Sequence, residues 1–179
     1  MAEKEETGSE KISKMKRLTL LRHAKSSWRD SDLADFDRPL NKRGKRDAPR
    51  MGRRLAERGF APDLLLVSPA RRARLTVEAM IEHLATDNDR LIFDERIYMA
   101  SASELVELLR DVAEDRLNVL LVGHNPGITD LANYLVGGRI ENVPTCGVFS
   151  VELQVATWEE LERSSARLLF YDYPKKNAD

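Results

Sequence analysis

The chain has 179 residues, of which 42% are hydrophobic, and this length and composition suit one domain with one buried core. Its 29 Lys and Arg residues nearly balance its 30 Asp and Glu residues, so the charge of the whole molecule does not favour nucleic acid or a membrane surface as a partner. The single cysteine, Cys146, excludes an internal disulfide framework, and no apolar run approaches the roughly 20 residues that a transmembrane helix needs. We therefore expect a soluble, cytoplasmic protein.

The two ends of the chain differ from its middle. Residues 1–15 carry many charges and almost no apolar side chains, so we expect a flexible N-terminal tail. Residues 16–175 are predicted to form the single domain, and residues 176–179 a short C-terminal tail.

Strand and helix patterns alternate along the domain. Apolar runs predict strands at 18–22, 64–67, 90–94, 118–122, 147–155 and 167–173. Helical patterns predict helices at about 41–58, at 68–84, from about 103, and at 127–136. Such alternation is typical of an α/β domain, and we expect three α/β/α layers with a mostly parallel central sheet.

Local signals place the ends of two of these helices. Asn41 is a suitable N-cap for the first helix, and Gly59 would end it. Pro49 lies inside this helix and implies either a kink or a later start. Ser68 and Pro69 are expected to begin the second helix, as a cap and a first-turn proline.

Two histidines directly follow the two most apolar strands. His23 comes after the run that ends in Arg22, and His124 comes after the run at 118–122. Ligands bind at the carboxyl ends of strands in open α/β sheets, so adjacent strands would bring both rings within a few ångströms. Arg72 lies in the first turn of the helix after the second strand, where free N–H groups also suit an anion. Guanidinium groups match phosphate or carboxylate oxygens, so this cluster predicts a phosphoryl-transfer site without a metal or another cofactor.

Four segments resemble the histidine phosphatase superfamily, in its phosphoglycerate-mutase-like branch 1, and within it the SixA-type phosphohistidine phosphatases. They are LLRHAKSSW at 20–28, DRPLNKRGKRDAP at 37–49, SPARRARLT at 68–76 and GHNPG at 123–127. They occur in the order that the family has, and the resemblance covers the chain from about residue 17 onward. It implies a phosphoglycerate-mutase-like fold.

The resemblance also implies roles for four residues. His23 would be the nucleophile that becomes transiently phosphorylated, Arg22 and Arg72 would clamp the phosphoryl oxygens, and His124 would complete the cradle. Physical chemistry supports these roles, since a neutral imidazole can attack phosphorus through one ring nitrogen if the other donates its proton to a backbone acceptor. Fixed guanidinium groups would then stabilise the charge that spreads over the phosphoryl oxygens.

The sequence departs from the mutase branch at several positions. Ala24 replaces the glycine that commonly follows the histidine, and Arg29 stands where that branch often has an asparagine. Glu95 lies in the region where that branch has a general acid, but the glycine-rich context that usually follows is missing. Glu95 is therefore a candidate general acid, and the alternative of an ordinary surface charge is favoured.

The segment 38–58 is strongly basic, with nine Lys and Arg residues against two acids. It lacks interleaved aromatic residues and any recognisable nucleic-acid-binding motif, so we expect no nucleic-acid partner and interpret it as a solvated helix face. Arg43 is a candidate substrate-binding residue that would raise the potential at the phosphate pocket, and Ser26 is a second candidate.

These observations predict a metal-independent phosphatase that acts on phosphohistidine of a partner protein. An imidazole leaving group needs little help from a general acid, whereas an alkoxide does. One alternative is a phosphatase of small phosphoesters that uses Glu95 as the acid, and another is a phosphate-binding module without turnover. A phosphorylated protein or a small phosphorylated molecule is thus the expected partner, with no membrane partner, and a monomer is expected.

Overall fold

The structure, a computed structural model, describes residues 15–176. The predicted tails therefore lie almost wholly outside the described residues. Six strands are present: β1 (Arg17–Arg22), β2 (Leu64–Val67), β3 (Leu91–Phe93), β4 (Asn118–Gly123), β5 (Val148–Leu153) and β6 (Ala166–Asp172). The four α-helices are α1 (Lys42–Glu57), α2 (Arg71–Ile81), α3 (Ala102–Arg110) and α4 (Gly127–Val136). Short 3-10 helices span Asp35–Asp37, Asn88–Arg90 and Glu95–Ile97.

The strands form one sheet in the order β3-β2-β4-β1-β5-β6. The first four strands of this order are parallel to one another, which confirms the prediction for that part of the sheet. The last two differ, because β5 runs antiparallel to β1 and β6 antiparallel to β5. The sheet is therefore mixed, and its parallel part contains both strands that lead to a histidine.

Helices cover both faces of the sheet, as the three-layer prediction requires. The two buried clusters draw on alternate residues of the same strands: Leu18 and Leu20 pack with α3 and α4, whereas Leu21 packs with α1 and α2. Side chains alternate between the faces of a strand, so a strand with apolar residues on both faces must be central. No helix among residues 15–176 is long and apolar enough to cross a membrane.

Two of the local predictions for helix ends are confirmed. The Asn41 side chain accepts a hydrogen bond from the Gly44 N–H and caps α1, and Gly59 follows the helix with φ of 70°. The helix begins at Lys42 and includes Pro49, so a later start is wrong. Ala48, Met51 and Leu55, on either side of Pro49, are buried in the core on the face of α1 that meets the sheet.

The prediction for the start of α2 is wrong. Ala70 is the N-cap residue and provides no side-chain cap. The Ser68 hydroxyl instead accepts a hydrogen bond from the Ala70 N–H at 3.3 Å and contacts a histidine ring. Ser68 is thereby a residue of the site, because its side chain turns inward instead of capping the helix.

Candidate active site

The two histidines meet because their strands are neighbours. In the pairing of β1 with β4, Arg22 lies opposite Gly123, and the His23 N–H donates to the Gly123 carbonyl at 3.1 Å. The chain therefore leaves both strands at the same level, and the rings of His23 and His124 have centroids 5.0 Å apart. Both side chains are buried.

The His23 ring is held in one tautomer. Its Nδ1 lies 2.7 Å from the carbonyl oxygen of Ala24, which can only accept, so Nδ1 holds the proton and Nε2 carries a lone pair. Burial lowers the pKa of His23 to about 3, and the positive charges of Arg72 and Arg22 act in the same direction. The ring is therefore neutral at physiological pH, with a nucleophilic nitrogen that faces the Nε of Arg72 at 3.3 Å.

Arg72 extends from the first turn of α2 and is itself buried. Its Nη1 donates to the backbone carbonyl of Asp35 at 2.7 Å, and its Nη2 donates to Oδ2 of the same residue at 3.0 Å. The Thr76 hydroxyl connects α2 to the loop after β1, since it donates to the Arg72 carbonyl and accepts from the Ala24 N–H. The guanidinium is thus fixed before any substrate arrives.

Asp35 is the main site residue that the sequence did not reveal. Its carboxylate accepts hydrogen bonds from Arg72, from the Tyr98 hydroxyl at 2.7 Å and from the Arg38 Nε at 3.1 Å. Partial burial raises the pKa of Asp35, but the Tyr98 hydrogen bond and the two arginines outweigh it and lower the pKa to about 2. Asp35 is therefore ionised and cannot serve as a proton donor near neutral pH.

Arg22 is anchored on one side only. Its Nη1 donates to the Val143 carbonyl at 2.9 Å and lies 3.3 Å from Oδ1 of Asn142. Its Nε is buried and has no hydrogen-bond partner among residues 15–176. An unsatisfied buried donor is costly, so this N–H is suited to an anion that enters beside His23.

His124 presents a second unsatisfied atom. Its Nε2 lies 2.7 Å from the Ser68 hydroxyl, and its buried Nδ1 has no partner in the described part of the chain. The Ser68 hydroxyl can donate to Nε2 or accept from it, and when it donates, the proton of the ring lies on Nδ1. Burial, reinforced by the charge of Arg72, lowers the pKa of His124 to about 4, so the ring is neutral at physiological pH.

The three remaining candidates form no hydrogen bond with this cluster among residues 15–176. Glu95 is exposed, and within residues 15–176 no hydrogen bond or ion pair involves its carboxylate. Ser26 is buried and pairs with Leu40 in an isolated β-bridge, and Arg43 lies 3.4 Å from Oδ2 of Asp47. Ser26 and Arg43 line a groove next to the end of β1, and neither forms a hydrogen bond with the four residues of the cluster in the described part of the chain.

The arrangement can accept a phosphoryl group. One neutral imidazole nitrogen can attack phosphorus, while two arginines and the second histidine surround the position where negative charge develops. Within residues 15–176, no group of three or more His, Cys, Asp or Glu residues could hold a metal ion. A mixed α/β sheet whose parallel part carries this cluster at its carboxyl edge is the architecture of a histidine-dependent phosphatase.

Comparisons with known proteins agree with that class. The chain belongs to the histidine phosphatase superfamily (branch 1), whose sequence profile matches residues 18–98. An uncharacterised chloroplast protein of Arabidopsis thaliana is 33% identical over 153 residues, which cover 81% of this chain and 70% of that protein. An uncharacterised protein of Mycobacterium tuberculosis is 35% identical over 166 residues, or 87% of this chain and 100% of the relative.

Solved structures of SixA-type proteins share the fold. The protein from Agrobacterium tumefaciens is 27% identical, with a TM-score of 0.75 over 89% of this chain and 98% of that one. A protein histidine phosphatase SixA in complex with tungstate has the same TM-score at 20% identity, over 88% of this chain and 97% of its own. These similarities confirm the SixA-type resemblance and the α/β fold.

Proposed function

We propose that this phosphatase acts through a phosphohistidine intermediate on His23 and that its substrate is phosphohistidine of a partner protein. The observation that carries the proposal is the hydrogen bond from His23 Nδ1 to the Ala24 carbonyl, which leaves the lone pair on Nε2, where it accepts a hydrogen bond from Arg72 Nε. The single buried cysteine, Cys146, supports a reducing, cytoplasmic setting for this activity.

The reaction would take two displacements. In the first, the lone pair of His23 Nε2 attacks phosphorus, the bond from phosphorus to the leaving group breaks, and that group keeps the bonding electrons. In the second, water attacks phosphorus and loses a proton to solvent or phosphate, while the pair of the P–N bond returns to Nε2. Because Nδ1 keeps its proton throughout, His23 leaves as a neutral imidazole.

The proposed substrate follows from the chemistry of the leaving group. A phosphoester would expel an alkoxide, which needs a general acid. Asp35 is held ionised, and the exposed Glu95 has no contact that orients it among the described residues. A phosphohistidine substrate that carries a proton on its far nitrogen expels neutral imidazole and needs no such acid. The Agrobacterium tumefaciens relative, which carries the name of a phosphohistidine phosphatase, supports the same substrate class.

A rapid-quench experiment with a labelled phosphodonor tests the intermediate. We expect an acid-labile, base-stable phosphoenzyme in the native protein and none in His23→Ala, whose turnover should fall by at least about a thousandfold. Full turnover in His23→Ala would contradict the assignment. Phosphate binding without any turnover in the native protein would favour the non-catalytic alternative.

The substrate class is tested by comparing turnover of a phosphohistidine peptide with that of phosphoserine, sugar phosphates and nucleotides. We expect the phosphohistidine peptide to be preferred, and Glu95→Gln to leave this preference and the rate unchanged. A strong preference for an ester that Glu95→Gln abolishes would instead identify a small-phosphoester phosphatase with Glu95 as its acid.

A further inference from the structure

An open groove of about 850 Å³ lies next to the end of β1, at the start of α1. Five cationic side chains line it, and we call it the basic groove: Lys25, Arg29, Lys42, Arg43 and Arg46. Trp28 also lines it and is 72% exposed.

Carboxylates neutralise only part of the positive charge of the basic groove. Asp47 is buried under the groove, and its carboxylate lies within ion-pair distance of both Arg43 and Arg46. Lys25, Arg29 and Lys42 are exposed, and no carboxylate of residues 15–176 lies within 4.0 Å of their charged groups. The groove therefore keeps a surplus of positive charge for an anionic ligand.

The basic groove lies near the phosphoryl site along the chain. Lys25 lines the groove and lies two residues after His23, which directly follows β1. Trp28 of the lining packs against the Arg38 guanidinium, whose Cζ lies 3.5 Å from the ring centroid, and Arg38 Nε donates to Asp35. Asp35 also accepts a hydrogen bond from Arg72, so a chain of side-chain contacts links Trp28 of the groove to the phosphoryl site.

We propose that the basic groove binds an acidic segment of the polypeptide that carries the phosphorylated residue, an inference that rests on the proposed function. A volume of about 850 Å³ and five cations exceed what one phosphoryl group needs, so the occupant is extended and carries several negative charges. Oligonucleotides fit less well, because single-strand binding sites combine charge with several stacking aromatics. Here Trp28 is the one aromatic residue of the lining, and Arg38 covers one of its faces.

Binding of an unphosphorylated, glutamate-rich peptide, measured by fluorescence anisotropy, tests the groove without requiring catalysis. We expect the double variant Arg29→Glu/Lys42→Glu to weaken binding by about tenfold or more, since each reversal turns an attraction into a repulsion. The neutral pair Arg29→Gln/Lys42→Gln should give an intermediate loss and serves if the reversed pair does not fold. Arg53→Glu is the matched control, because Arg53 is exposed on α1 and lies about 16 Å from Lys42 along the helix axis.

Measurements of turnover distinguish the contribution of the groove from that of the phosphoryl site. The same double variant should lose the preference for a phosphohistidine peptide with acidic flanks over one with neutral flanks, while hydrolysis of a small aryl phosphate stays within about twofold. In the anisotropy experiment, equal binding of the acidic peptide by the native protein, the double variant and Arg53→Glu would overturn the proposal. Tighter binding of oligothymidylate than of the acidic peptide at equal ionic strength would also overturn it. Groove-dependent peptide binding in a protein without turnover would overturn the proposed function instead and leave the groove assignment intact.

Discussion

At the scale of single residues, Arg72 is held from two directions. Its Nη1 and Nη2 donate hydrogen bonds to Asp35, whereas its Nε donates to Nε2 of His23. Asp35 thus occupies the far end of the guanidinium and leaves the Nε side for a phosphoryl group. The Tyr98 hydroxyl and Arg38 fix the position of the Asp35 carboxylate in turn. These contacts make Asp35 a positioning residue for Arg72.

Replacing Asp35 with Asn tests this role. The substitution keeps the size of the side chain but removes the charge that holds Arg72, so we expect kcat for an aryl phosphate to fall by about tenfold or more, with a smaller change in KM. The control is Asp32→Asn, an exposed acid of the same loop that has no ion pair among residues 15–176. A rise in KM alone would show that Asp35 acts in substrate binding only, and unchanged kinetics would contradict its positioning role.

At the scale of elements, α1 and the loop after β1 touch at Gly44. A Cβ atom at this position would overlap the carbonyl oxygen of Lys25, which already accepts a hydrogen bond from the Asn41 N–H. Since the obstacle is backbone, it cannot turn aside as a side chain can. The contact therefore sets how closely the helix approaches the segment that follows His23.

We expect Gly44→Ala to destabilise the protein by about 1–3 kcal/mol, the usual range for overpacking, and to reduce phosphatase activity because the loop after His23 must shift. Alanine favours a helix over glycine by about 1 kcal/mol, so a net loss of stability would be due to the overlap. Chemical denaturation measures the effect, with Gly138→Ala as control. The Cβ of that variant would meet side-chain atoms and no backbone, namely Val136 Cγ2 at 3.1 Å and Asn133 Oδ1 at 3.6 Å. Stabilisation by Gly44→Ala would contradict this account.

Sequence patterns predicted the positions of the helices and strands well, but they predicted fewer of the contacts between them. His23, Arg22 and His124 were predictable because each lies at the end of a long apolar run, and Arg72 because it lies in the first turn of a helix after such a run. Asp35 was not, since it is one of four acids in the loop 30–37 and reaches Arg72 across 37 positions of the chain. The antiparallel pairing of β5 with β1 and of β6 with β5 was not predictable either, because an apolar run does not show the direction of the neighbouring strand.

At the scale of the whole molecule, two buried neutral histidines make stability depend on pH. The pKa of His23 is lowered to about 3 and that of His124 to about 4, against about 6.5 in the unfolded chain. Between these values the unfolded state binds more protons than the folded state, so stability is lost as the pH falls below about 6.5. The loss should reach up to about 1.4 kcal/mol per pH unit for each histidine.

Denaturant titrations at several pH values between 4 and 7.5 measure this effect. We expect the free energy of unfolding to fall steadily below about pH 6.5, and His124→Gln to reduce the slope, because glutamine takes up no proton in this range. A slope in His124→Gln equal to that of the native protein would show that this ring is not buried in its neutral form.

The two borders of the sheet bear on how copies of the protein behave when concentrated. One border is β3, only three residues long, which offers few free backbone groups to an incoming strand. The other is β6, whose pairing with β5 shifts register between Ser150 and Val151 and whose Arg167 forms an ion pair with Glu152. Short, irregular and charged borders are the means by which β proteins resist joining edge to edge. We therefore expect no fibril growth from the native state, because neither border provides a regular template.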